Sequence, residues 1–122
     1  MSIHQHRRET IMTQIVLTDL IHAGSFGVDS GQAMVGDPCY LDNWDTNKND
    51  EWNLEGKENE YSYHGASATT LANSYGELGI GTAVVFNTGY GDGYYPVYVQ
   101  LNQDGRVSKV VIDFEGDVDE QD

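Results

Sequence analysis

Hydrophobic positions along this chain gather into short runs that alternate more often than they recur at helical spacing. Ile15-Val16-Leu17 is a brief apolar run suited to a strand or a first helical turn. From Ser25 to Val35, Phe26 and Val28 and then Ala33 and Val35 supply an alternation. That pattern predicts two short strands joined by a turn at Ser30-Gly31. Thr82 to Phe86 is β-branched and aromatic, as a buried strand would be. Tyr94 to Asn102 places Tyr95, Val97, Val99 and Leu101 on one face, and Pro96 points to an edge or a strand start. Asp104-Gly105 predicts a hairpin turn into a last strand over 108–114. One helix is expected, over 67–75. There Ala68, Leu71, Ala72 and Tyr75 share a face, Ser67 caps and Gly76 terminates. The fold class expected is α+β and β-rich: an antiparallel sheet, meander or sandwich-like, with one short helix.

Residues 41–60 break the pattern. Asn43, Asn47, Asn49 and Asn53 disfavour a long helix, so the segment reads as an irregular acidic loop. The organisation expected is a flexible leader over 1–13, a single β-rich domain over 14–114 and a disordered acidic tail over 115–122. Charge sharpens this. The chain of 122 residues carries 20 acidic against 6 basic side chains, a net charge of -14. Residues 37–60 hold eight acids against Lys48 and Lys57, and the last ten residues hold six acids and no base. The remainder is nearly neutral. So acidic a chain is ill suited to direct nucleic-acid binding or to an anionic membrane surface, and no apolar run approaches a membrane span. The one cysteine, Cys39, permits no intrachain disulfide, which fits a reducing cytoplasm.

Two stretches carry a resemblance. Val28-Asp29-Ser30-Gly31-Gln32 runs into Gly36-Asp37-Pro38-Cys39-Tyr40, and Gly91-Asp92-Gly93-Tyr94-Tyr95-Pro96-Val97-Tyr98 precedes Val110-Val111-Ile112-Asp113-Phe114. The pairing resembles small uncharacterised phage and bacterial proteins related to a domain family of unknown function. The resemblance implies a phage or bacterial cytoplasmic origin and a β-rich fold. It brings no catalytic residue with it.

Candidate chemistry is sparse. Gly89-Tyr90-Gly91-Asp92-Gly93 offers flexible backbone to a ligand or anion, or serves only as a tight connection. A strand follows it, so it is not a dinucleotide fingerprint. Asp29, Asp37 and Asp92 suit either a hard cation or local turns. Asp45-x-Asn47-x-Asn49 opens like a calcium loop, but Asp50 and Gly56 stand where glycine and glutamate are required. Cys39 with His64 has the types of a nucleophile and base, yet a small buried sulfhydryl is the plainer reading. No histidine pair has zinc spacing. No cofactor, metal or catalytic constellation follows.

Trp44 and Trp52, inside the acidic loop, read as partner anchors or as pins to the core. The first expectation is a non-enzymatic binding or inhibitory protein, phage-related, that engages a basic host protein through Trp44, Asp45, Asp50, Glu51, Trp52 and Glu55. The second is a small-ligand binder, for a signalling nucleotide or divalent ion, using Asp29, Asp37, Tyr40, Asp92, Tyr94 and Tyr95 around the glycine loop. Arg106 and Lys109 are the only bases near that hairpin, a thin supply for phosphates. The third is an assembly role through sheet edges, with no oligomeric state set by the sequence.

Overall fold

A computed structural model describes residues 19–118. The expected leader, the Ile15–Leu17 run and the tail beyond residue 118 lie outside the described residues. Among the described residues the order is β1 (Ile21–Val28), β2 (Gln32–Gly36), a 3-10 helix (Pro38–Asn43), α1 (Tyr63–Asn73), β3 (Tyr75–Leu78), β4 (Ala83–Asn87), β5 (Gly93–Leu101) and β6 (Val107–Ile112). The fold is α+β and β-rich, with two small antiparallel sheets and one short α-helix. The stretch read as one domain contains two compact units, one of them running through Ser25 and resuming at Pro96, the other Phe26–Tyr95.

The first unit holds most of the sheet ordered β1-β5-β6. β5 and β6 pair antiparallel from Val97↔Ile112 to Leu101↔Val107, with an irregularity at Gln100/Leu101. Asn102 organises the turn between them: its side chain accepts from the amides of Asp104 and Arg106, at 2.9 and 3.0 Å. Gly105 takes the left-handed conformation that the turn requires, φ 78°. β5 is the central strand although it contains Pro96. Proline is tolerated because Pro96 sits where the ladder with β6 ends, and it contributes its carbonyl to the amide of Asp113. Residues 115–118, expected to open a disordered tail, fold back on Asp113. Its carboxylate accepts from the amides of Glu115, Gly116 and Val118 at 2.9–3.0 Å.

The second unit holds the sheet ordered β2-β4-β3. β4 is central, paired to β2 from Gln32↔Asn87 to Gly36↔Ala83 and to β3 from Tyr75↔Phe86 to Leu78↔Ala83. The three strands expected as one meander are therefore divided: β4 belongs to this sheet, and β5 and β6 to the other. Likewise β1 and β2, adjacent in sequence, lie in different sheets. The core of this unit is Ala66 from α1 with Leu78, Ala83 and Val85 from the sheet, and Trp44 and Tyr61 pack against it.

Helix α1 begins a turn earlier than expected. Ser62, in extended conformation, caps it by accepting from the Gly65 amide at 2.9 Å, and Ser67 lies within it. It ends on Ser74, which takes the left-handed position at φ 69°; Gly76 belongs to β3. The buried side of α1 is not the expected alanine-leucine face. His64 through Thr70 are buried, while Leu71 is 74% exposed. The polar members of that buried run find partners both within the helix, where Thr69 donates to the Gly65 carbonyl, and elsewhere in the unit. Asn47 accepts from the His64 amide, Thr69 accepts from the Asn59 amide, and Gln32 bonds both Ser67 and Thr70. Two glycines allow close packing. A Cβ on Gly65 would collide with the Glu60 carbonyl, and one on Gly76 would lie 2.5 Å from Thr69 Cγ2.

Candidate functional site

The acidic segment is tied down locally, and this decides what it presents. Asp45 forms an isolated parallel bridge with Ser62, and its carbonyl accepts from the Tyr63 amide at 2.8 Å. The Asp45 carboxylate accepts from the Asn47 amide, and Asn47 Nδ2 donates to Asp50 Oδ2. Asn47, buried and at φ 55°, is thus the hub that holds the loop on the helix start. Of the two segment lysines, Lys57 lies 3.8 Å from Glu60. An exposed pair at that distance contributes little.

The two tryptophans part company. Trp44 is half-buried, packs on the core and meets Tyr61 edge-on with ring centroids 5.1 Å apart. It pins the loop. Trp52 is 60% exposed. Its ring stands edge-on to His64 at 5.0 Å and tilted against Tyr63 at 5.9 Å. His64 is buried in the first turn of α1, so Trp52 rests on a fixed surface while much of its ring faces outward. Glu51 and Glu55 are exposed on either side of it in sequence, as is Asp50. Trp52 is the exposed aromatic of the acidic loop.

Beside this surface lies a pocket of about 130 Å³. Ala33, Ala66 and Val85 line it together with Met34. Trp44 and Tyr63 supply aromatic walls, and Ser30 and Gln32 are its polar lining residues. Both side-chain ends of Gln32 are already engaged by Ser67 and Thr70. Tyr63 is shared between this pocket and the Trp52 contact. Tyr63, Met34 and Val85 were not legible as site residues, because strand, helix and loop bring them together. The run Tyr61-x-Tyr63-His64 directly after the acidic segment was the available signal.

Of the second candidate set, Asp37, Asp92 and Tyr95 make hydrogen bonds within the fold, while Asp29, Tyr40 and Tyr94 are exposed. Asp37 caps the 3-10 helix by accepting from the Cys39 amide at 2.9 Å, and Tyr40 is exposed on that helix. Asp92 accepts from the Gly31 amide at 2.9 Å, joining the turn after β1 to the glycine loop. Asp29 is exposed in that turn. Among the described residues no group of three or more His, Cys, Asp or Glu could hold a metal ion. The three aspartates do not form a cation site. In the glycine loop the Gly89 amide donates to Asn87 and the Tyr90 amide to Thr88. The Tyr95 hydroxyl and Thr88 both donate to the Gly91 carbonyl. Tyr95 is buried, whereas Tyr94 is 85% exposed. Cys39 is exposed, not buried as expected, because it sits on the outer first turn of a helix with no buried residue.

The Asp113 carboxylate is served by three backbone amides. Burial pushes its pKa up, but the amides of Val118, Gly116 and Glu115 and a bond with Asp117 outweigh that and hold it below its ordinary value. The charge on Asp113 in turn raises that of Asp117, with burial and Glu115 adding to it. These bonds hold residues 115–118 against Asp113.

No helix among the described residues is long and apolar enough to cross a membrane. A family model described as "Protein of unknown function (DUF4241)" matches residues 18–112. No curated protein and no solved structure matches the chain.

Proposed function

The chain belongs to the DUF4241 family of proteins of unknown function, and since that membership carries no activity, we propose from the geometry that it is a non-enzymatic binding protein whose acidic surface around Trp52 engages a basic protein partner. The observation that carries this reading is the exposed Trp52 ring, seated on buried His64 and flanked in sequence by Asp50, Glu51 and Glu55. An aromatic held against a fixed backing presents apolar area at little entropic cost. Carboxylates around it favour a cationic partner and speed its approach. The anchor is Trp52 alone, since Trp44 is committed to the core. An inhibitory, phage-related role in the bacterial cytoplasm is the setting that this chemistry and the sequence resemblance favour.

The test uses a short Lys/Arg-rich peptide and the full chain, titrated across a salt series. Trp52→Ala is expected to weaken binding at least about tenfold, and neutralising Glu51 and Glu55 together is expected to flatten the salt dependence. Neutralising Glu115 and Asp117 is the charge-matched control and is expected to matter much less. Equal losses from both charge pairs, with no effect of Trp52→Ala, would reduce the interaction to general attraction by net charge and overturn the reading.

A further inference from the structure

The pocket beside Trp52 has its own chemistry, which the acidic surface alone does not explain. Its volume, about 130 Å³, is close to the roughly 150 Å³ of an apolar cavity that admits one benzene-sized group. It therefore takes one side chain and not a cofactor. Apart from Ser30 and Gln32 its lining is hydrocarbon and aromatic. Gln32 has both ends of its amide occupied by Ser67 and Thr70, so it offers little to a polar guest. No carboxylate lines the pocket, and a bare ammonium placed there would lose water without gaining a counter-charge. An aliphatic side chain suits these walls.

Two connections place the pocket next to charge. Tyr63 forms a pocket wall and also touches Trp52. Asp45 follows the wall residue Trp44 in sequence, and its carbonyl holds the amide of the wall residue Tyr63. The apolar pocket thus adjoins a segment in which residues 37–60 carry eight acids against two lysines. From this juxtaposition we infer that the pocket is the specificity subsite of the basic-partner surface, taking one large aliphatic side chain, leucine or methionine in size, from a partner segment whose flanking residues are lysine or arginine. The inference rests on the proposed function and adds the sequence class of the partner. Basic residues meet the carboxylates; the aliphatic residue selects the register.

The experiment compares two short Lys/Arg-rich peptides that differ only at the centre, leucine in one and alanine in the other, binding to the full chain. Burying the leucine is expected to tighten binding about tenfold or more relative to alanine. Met34→Phe, which enlarges a wall residue, is expected to abolish the leucine preference. Ser30→Phe, at an exposed position on the lining, serves as the second variant should the first disturb β2. If both peptides bind equally well to the wild type, the pocket is no subsite and the inference fails while the proposed function stands. If neither peptide binds, or binding ignores Trp52, the proposed function fails and takes the inference with it.

Discussion

At the scale of single residues, the two tryptophans of the acidic segment have identical sequence credentials and opposite surroundings, Trp44 against the core and Trp52 largely exposed. Trp44 packs on Ala66, Leu78, Ala83 and Val85, so Trp44→Ala leaves a hole at the core edge. The expected cost is about 2–4 kcal/mol in urea unfolding, below the value for a fully buried tryptophan because Trp44 is half-exposed. Trp52→Ala is expected to stay within about 1 kcal/mol, losing mainly its edge contacts with His64 and Tyr63. Equal destabilisation by both would contradict their separation into pin and anchor. Nothing in the local sequence could have distinguished them. Trp44 meets Tyr61 only because the Asp45–Ser62 bridge folds the loop onto the helix start.

Asp113 gives a second residue-scale expectation, with a defined sign in pH. Its carboxyl lies below its ordinary value of 3.8. Its ionised form is therefore preferred in the folded state, and that stabilisation is full above the ordinary value. It disappears as pH falls through the lower, folded value. Replacing Asp113 by Asn keeps an oxygen for two amides but turns an N–H₂ toward the amide of Val118. The loss is expected to be about 1.5–3 kcal/mol near neutral pH, closing as the medium is acidified below the folded-state pKa. Asp117, raised by the neighbouring charge, has the opposite sign: its ionisation opposes folding as pH rises. Asp117→Asn is therefore expected to be neutral or stabilising near neutral pH, and clear destabilisation would sink this account of the turn.

At the scale of elements, helix α1 shows what sequence periodicity revealed and what it hid. The helix itself was legible, since Ala68, Leu71 and Ala72 recur at helical spacing, but its start and its buried face were not. Ser67 has the look of a cap; Ser62 is one, because only there does the backbone turn extended. Besides local bonds within the helix, the polar members of the buried run His64–Thr70 rely on Asn47, Asn59 and Gln32, residues 10 to 38 positions away. Local pattern carries no trace of such partners. β3 escaped for a related reason. Four residues, Tyr75–Leu78, are too few for alternation to register, and Gly76 reads as a helix stop when its duty is to admit Thr69. The site was legible only as an acidic tryptophan segment, and its pocket needed the fold.

Two substitutions separate these glycine and serine duties. Ser74 occupies a left-handed position where a side chain costs energy. Ser74→Gly is expected to raise stability by about 0.5–1 kcal/mol, since its backbone bonds to Thr70 and Asn87 do not need the side chain. Gly65→Ala is expected to do the reverse and severely, by about 3 kcal/mol or more, because Glu60 backbone stands where the methyl would go. Thermal unfolding followed by circular dichroism reads both. A tolerated Gly65→Ala would mean that residues 57–62 yield readily, and the backing of Trp52 would then be soft.

At the scale of the whole molecule, the net charge of -14 acts on stability and on association in opposite directions. Within the folded chain like charges repel, and the eight acids of 37–60 are held in one segment that the fold ties to the start of α1. Self-repulsion of this kind destabilises the compact state, and the Debye length shrinks from about 30 Å in dilute buffer to a few ångströms near 1 M salt. Added sodium chloride is therefore expected to raise the melting temperature by a few degrees. The same screening weakens attraction of the proposed cationic partner, so its association rate is expected to fall steeply over the same range. Dissociation, which the proposal assigns to the Trp52 contact and the pocket, is expected to change little. A melting temperature that falls with salt would show that favourable ion pairs outweigh repulsion, against the single exposed Lys57–Glu60 pair found among the described residues. A dissociation rate that rises with salt as steeply as association falls would place the carboxylates, and not the aromatic and aliphatic contacts, at the centre of the bound complex.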